Sequence, residues 1–310
     1  MFSLNLSTFT SSYTAQDGDV LTGTLDGATQ PYSISIAEGA TVTLSGVTIN
    51  GSDNTSCDWA GITCKGDAAI VLADGTTNTV KGFYQFYPGI QPAIGKALTI
   101  KGTGTLNASS NGRGAGIGGG VFVSCGNILI EGGTINATGG TGCAGIGSGM
   151  STGRVNTSCG TITISGGNVT AEGGDGGTAG IGCGRGNDGS TYCGAILING
   201  GAVTATAASQ GASAIGNGNA ATGNESFCAS ITFTTGITSL TLKNSRADFS
   251  PPAGFYLNAG QVMAHTVDIT KSLSGYNSYL SSFNERNPAF SELFPHSTFD
   301  ADTKVWNIAP

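Results

Sequence analysis

"SCGNILIEGGTINATGGTGCAGIGSG" runs from Ser124 to Gly149. Within it, "NILIEGGTINAT" alternates. Ile128 and Ile130 point one way, and Asn127, Leu129 and Glu131 point the other. After the Gly132-Gly133 pair, Ile135 and Ala137 face in, while Thr134, Asn136 and Thr138 face out. A period of two over runs this short is the signature of a strand, and no helix-period apolar pattern competes with it. The glycine pair reads as a corner, because glycine reaches positive φ without a Cβ clash. Strands this short cannot bury a face alone.

The solution is repetition. Very similar wording returns at "SCGTITISGGNVTAEGGDGGTAGIGCG" (158–184) and at "YCGAILINGGAVTATAA" (192–208). Cys125, Cys159, Cys193 and Cys228 form one column, spaced 34, 34 and 35 residues apart. A second column is Ile117, Ile146, Ile181 and Ile215, which continues backward through Ile90, Ile62 and Ile34. A third is Val42, Ile70, Leu98, Ile128, Ile162, Ile196 and Ile231, and a fourth is Ile49, Val80, Leu106, Ile135, Val169 and Val203. About seven repeats therefore cover residues 30 to 240. Stacking equivalent strands turns each column into a buried ladder at the ~4.8 Å strand spacing. Windings in one sense give parallel sheets. The sequence thus predicts an all-β protein, a right-handed parallel β-helix with three strands per coil.

Composition agrees. The chain has 310 residues, 53 of them glycine, only 10% charged and 38% apolar. Disorder goes with the opposite balance, and glycine without a three-residue period is not collagen. The net charge is −7 with scattered cations, so no basic stripe for nucleic acid exists, and no apolar run is long enough to span a bilayer. The start, "MFSLNLSTFTSSYTAQ", lacks the basic and apolar regions of a signal peptide. The abundance of Thr, Ser, Asn and Gly with few Lys still points to a secreted or cell-surface protein.

The combination "YTAQDGDVLTGTL", "SIAEGATVTLSGVTI", "WAGITCKGDA", "YPGIQ", "LTIKGTGTLNASS", "GAGIGGG" and "CGNILIEGGTINATGG" resembles the secreted, glycine-rich β-helical repeat proteins of anaerobic gut-type bacteria. These are described as carbohydrate-binding-domain-containing proteins. The resemblance spans residues 13 to about 235. It implies a pectate-lyase-like fold and a surface that binds polysaccharide.

A solenoid needs closed ends. Residues 1–30 read as an N-terminal cap, 31–240 as the β-helix repeats, and 241–310, where glycine gives way to aromatics, as an irregular C-terminal cap. Pro251-Pro252 marks a turn there, and "SYLSSFNERNPAFSELF" (278–294) one short helix.

Candidate chemistry is sparse. Asp17 with Asp19, and Asp300 with Asp302, are the paired carboxylates, each pair also readable as a solvated turn. His265 and His296 are the only histidines, and no nucleophile-elbow motif occurs. Gly114, Gly116 and Gly119 match G-x-G-x-x-G, but no helix follows. Glu172, Asp175 and Asp188 form at most a weak oxygen site for Ca²⁺, so no cofactor is expected. The cysteine column reads as buried thiols acting as small hydrophobes, with inter-coil disulfides as the alternative, and Cys57 with Cys64 is the next pair to suspect of bridging.

Two features point to sugar. Phe83, Tyr84, Phe86 and Tyr87 crowd one loop, "GFYQFYPG", and Trp59 lies one repeat earlier. Aromatic faces stack on sugar C–H groups, although a ring cluster covering the flank of the solenoid is the plain alternative. Arg113, Arg154 and Arg185 sit in successive glycine-rich loops, where a guanidinium can grip a carboxylate of an acidic polysaccharide. The outward column Asn107, Asn136, Thr170 and Thr204 adds a polar face. These residues predict a non-catalytic carbohydrate-binding or adhesion protein. A polysaccharide lyase or glycosidase, and a phage or bacterial adhesin for a protein receptor, are the alternatives.

Overall fold

Ile34, Ile62, Ile90, Ile117, Ile146, Ile181 and Ile215 lie directly over one another in parallel register in the computed structural model. Tyr13 adds one further step below Ile34, so this narrow sheet has eight strands, from Tyr13–Ala15 to Ile215–Gly216. The structure describes residues 3–208, 212–233 and 236–244, and the strands Phe255–Asn258, Gln261–Ala264, Thr298–Asp300 and Val305–Ile308.

A second sheet carries two lanes. One is built from Ala68–Leu72, Ala97–Gly102, Asn127–Ile130, Ile162–Ile164, Thr191–Ile198 and Ser226–Phe233. The other is built from Thr77–Lys81, Thr105–Ser109, Thr134–Thr138, Asn168–Glu172, Gly201–Ala207 and Ile237–Asn244. The longer strands Val20–Asp26 and Thr41–Asn50 run through both lanes in one piece. In later coils a corner separates the lanes, as at Gly133, whose φ is +86°. The chain is therefore an all-β parallel β-helix with three strands per full coil. Its ladders form one continuous core. Each fully buried Ile or Leu stabilises that core by about 1.5–3 kcal/mol relative to exposure.

The expected ladder Ile128, Ile162, Ile196 and Ile231 stands in register. Two steps lower in the stack differ from expectation. Leu98 pairs with Ala68, and it is Ile100 that pairs with Ile70. Likewise Leu106 pairs with Asn78, and Ala108 with Val80. A slip of one residue would turn every side chain over, but a slip of two keeps the same residues inside. Alternation alone is blind to it. The second slip brings Asn78 into the core, fully buried. Its Oδ1 accepts the Val47 N–H at 2.9 Å, and its Nδ2 donates to the Thr105 carbonyl at 3.1 Å. The amide thus replaces ladder hydrogen bonds where a long strand meets two shorter ones.

The "AGIG" motif follows from stacking. Gly147 has φ +141°, and a Cβ placed on it would stand 1.9 Å from the Gly182 carbonyl oxygen of the next coil. The same holds one coil up, between Gly182 and the Gly216 oxygen at 2.1 Å. Only glycine lets the coils approach this closely.

The cysteines also stack. Cys159 pairs with Cys193 and Cys193 with Cys228. Their thiols donate to the Gly126, Gly160 and Gly194 carbonyls of the preceding coil at 3.6, 3.9 and 3.4 Å. All eight cysteines, Cys57 and Cys64 included, are free and buried. Burial pushes the Cys64 and Cys143 thiols up to about 12.

At the N-terminal end, Ser3–Asn5 pairs with Val20–Thr22, and the short 3-10 turn Leu6–Thr8 buries Leu6 completely. The parallel stack therefore already includes residues 13–26. At the other end, Ile231 pairs antiparallel with Val262, and Leu240–Lys243 with Val305–Ile308. Antiparallel backbone covers the edge that an open coil would expose. The turn expected at Pro251-Pro252 and the helix expected in 278–294 lie outside the described residues.

Candidate carbohydrate-binding ridge

Glycine-rich loops flank the narrow sheet on both sides, and they fold onto each other. Ala115 donates to the Gly119 carbonyl at 2.8 Å, Ala144 to Ser148 at 3.2 Å and Ala179 to Cys183 at 3.0 Å. Each coil thus makes a narrow arc around its buried Ile. Outside the main core, Val121, Cys143 and Met150 form a small apolar cluster, with Phe86 packed against it. Loops with larger side chains could not close this way: a Cβ on Gly149 would stand 2.0 Å from the Gly120 oxygen. The result is a second layer of loops packed outside the main core, here called the ridge.

Two turns form its tip in neighbouring coils. Gly120 and Val123 bond each other's backbone at 2.9 and 3.2 Å, and Thr152 accepts from Val155 at 3.1 Å. Phe122 and Arg154 sit on these turns, both with φ +63°. A bulky non-glycine residue in the left-handed region is an outlier that costs about 1–2 kcal/mol. Phe122 is also 48% exposed. Its ring lies beside Gly153, where an added Cβ would be 3.3 Å from Cε1. On its other side it meets Phe86 edge-on, at 6.3 Å between ring centroids and 79° between planes. Phe86 in turn meets Tyr84 at 5.0 Å and 73°. Tyr84, Phe86 and Phe122 are one edge-to-face row, the preferred geometry for aromatic pairs.

Each arginine is fixed through its backbone to a neighbouring coil, and Arg113 to the loop of the row itself. Arg113 N–H donates to the Gln85 carbonyl, between Tyr84 and Phe86. Arg154 follows Gly153 beside the Phe122 ring, and its N–H donates to the Asp188 carbonyl at 2.5 Å. Arg185 N–H donates to the Gly142 carbonyl at 2.8 Å. Among the described residues the single ion pair is Lys96–Glu38 at 2.6 Å, so none of the three guanidinium groups is neutralised by an acid.

Not every aromatic named from the sequence belongs to the ridge. Phe83 is fully buried in the main core and is withdrawn as a ligand contact. Trp59 packs against that core with its ring 5.6 Å from Phe83. The reason is spatial: glycine makes the room, since a Cβ on Gly27 would stand 2.8 Å from Phe83 Cε1. Tyr87 is half-buried at a turn, its N–H donating to the Tyr84 carbonyl at 3.1 Å, and burial, then Asp58, raise its phenol. Phe122 was missed. Its sequence signal, "GGGVFVSCG", is a lone ring in a glycine loop, which by itself says nothing of exposure.

The acidic candidates resolve as scaffolding. Asp17 Oδ1 accepts the Thr41 N–H at 2.8 Å, and Asp19 Oδ2 accepts from the Gln16 N–H at 2.8 Å and the Tyr13 hydroxyl at 2.9 Å. Asp17 ties its turn to the next coil, and Asp19 closes the turn between Tyr13 and Gln16. Glu172, Asp175 and Asp188 are exposed, and no group of three or more His, Cys, Asp or Glu placed for a metal ion occurs among the described residues. Asp302, His265 and His296 lie outside the described residues, as does the side chain of Asp300.

A family model for the beta helix repeat matches residues 98–121, 128–150 and 162–185. The strands of these segments stack in parallel as a β-helix. Each matched segment begins at a ladder residue of the first lane (Leu98, Ile128, Ile162) and runs through the second lane and the narrow sheet. The matched repeats thus contain Arg113, the tip residue Val121 and Arg185, while Phe122 and Arg154 lie just past the ends of two of them. No curated protein and no solved structure matches the chain. No helix among the described residues is long and apolar enough to cross a membrane.

Proposed function

We propose that the protein is a non-catalytic carbohydrate-binding protein, secreted or at a cell surface, whose ridge holds an extended glycan. The observation that carries this reading is the Tyr84–Phe86–Phe122 row. It ends on a half-exposed ring held at φ +63°. Strain of this kind persists only where the surroundings enforce it, and it concentrates at functional positions. The exposed Phe122 ring, backed by the partly buried Phe86 and Tyr84, offers an aromatic face to sugar C–H groups, with arginine beside it for polar groups. The carboxylates nearest to a catalytic pairing, Asp17 and Asp19, are occupied by backbone N–H groups, which favours binding over glycoside hydrolysis.

A glycan array with the full chain tests the reading. The expected result is retention of one or a few polysaccharides, lost in Phe122→Gly and Tyr84→Ala. Release of reducing ends or unsaturated products from a retained polymer overturns the non-catalytic part. Absence of any glycan signal, with capture of a defined surface protein, replaces the whole reading by the adhesin alternative.

A further inference from the structure

Resting on that reading, we propose that the ridge selects anionic glycans, polymers bearing carboxylate or sulfate groups, over neutral ones. The argument is the placement of charge. Arg113, Arg154 and Arg185 belong to the consecutive coils of Ile117, Ile146 and Ile181. At about 4.8 Å per coil, the three coils that carry them span roughly 10 Å along the axis. The chain as a whole carries −7, yet none of the three guanidinium groups is ion-paired with an acid among the described residues.

Two of the guanidinium groups flank one loop. Arg113 lies close enough to Cys143 to draw its thiol down against burial. Arg185 Nη1 stands 3.8 Å from where a Cβ on Gly176 would be, and its backbone binds Gly142. Between them runs Gly139–Gly142, which has a single side chain, that of Thr141. Gly139 and Gly142 are buried, so Thr141 is the exposed residue of this loop. Glu172, Asp175 and Asp188 are exposed acids of the neighbouring segments, and none comes within 4.0 Å of a guanidinium nitrogen. A guanidinium without a counter-charge is free to pair with an oxyanion of a ligand. A planar guanidinium meets carboxylate or sulfate with two parallel hydrogen bonds, whereas a neutral sugar needs no such charge. Arg154 sharpens the point: glycine would fit its φ without strain, yet a cation occupies the position.

The experiment compares polygalacturonate with its methyl-esterified form, and dextran sulfate with dextran, against the full chain at low and high salt. The free acid or the sulfated polymer, or both, should bind at least about tenfold more tightly than its neutral counterpart, and high salt should erase the difference. The triple variant R113A/R154A/R185A should lose that preference while keeping the far-ultraviolet dichroism of the parent. Which polyanion prevails identifies carboxylate or sulfate as the recognised group. Equal binding of charged and neutral polymers, or an unchanged preference in the triple variant, overturns the inference while leaving glycan binding intact. If neither charged nor neutral polymer binds, the carbohydrate-binding reading falls, and this inference with it.

Discussion

Gly147→Ala tests whether the close approach of coils, and not merely backbone freedom, dictates the repeated "AGIG". The substitution has two costs. The first is conformational: φ is +141°, a region L-residues rarely adopt, at about 1–3 kcal/mol. The second is contact. The new Cβ would stand 1.9 Å from the Gly182 oxygen, a backbone atom that cannot swing aside. That oxygen accepts the Ser148 N–H at 2.9 Å, and the neighbouring Ile146 N–H donates to Gly180 at 2.9 Å. Prising the coils apart sacrifices one or both bonds, at about 1–3 kcal/mol for each buried group left unpaired. The total is about 2–6 kcal/mol if one bond is lost and about 3–9 kcal/mol if both are. Gly75→Ala is the control: its φ is +66°, but nothing lies within 4 Å of its added Cβ. It pays only about 1–2 kcal/mol of strain, less the ~0.4–1 kcal/mol gained by stiffening the unfolded chain. Urea or guanidinium unfolding of both variants beside the parent gives the comparison directly. A Gly147→Ala loss within about 1 kcal/mol of that of Gly75→Ala would refute the stacking argument.

Three other outcomes are expected. Asn78→Ala strands the Val47 N–H and the Thr105 carbonyl in the core and should lower unfolding free energy by about 2–4 kcal/mol, read by the same denaturant titration. Phe122→Gly should change stability by less than about 1 kcal/mol, because relief of strain offsets the lost edge-on contact with Phe86, while glycan retention disappears; a large loss of stability would show that the ring is structural. The native protein should react slowly with a thiol reagent and release eight thiols on denaturation, since all eight cysteines are free and buried; at pH values below the raised thiol range of about 12, Cys64 and Cys143 stay protonated and inert.

The architecture was legible because a solenoid writes its fold into one repeat. Ile117, Ile146, Ile181 and Ile215 recur at the spacing of a coil, and alternation about Gly132-Gly133 assigns inside and outside. Ladder contacts are between equivalent residues, so periodicity alone names the partners. It failed at Leu98 and Leu106, where a shift of two residues preserves the pattern and so leaves no mark in it. The loops obey no such rule. Their path depends on which carbonyl lies opposite which glycine, and that decided that Phe83 sinks into the core while Phe122 is raised on a strained turn beside Gly153. The sequence by itself determined the stack, because each winding buries the same column as the last. Only the tertiary structure decided the ridge, because its parts come from loops of different coils whose folding together is set by backbone contacts that residue types do not encode.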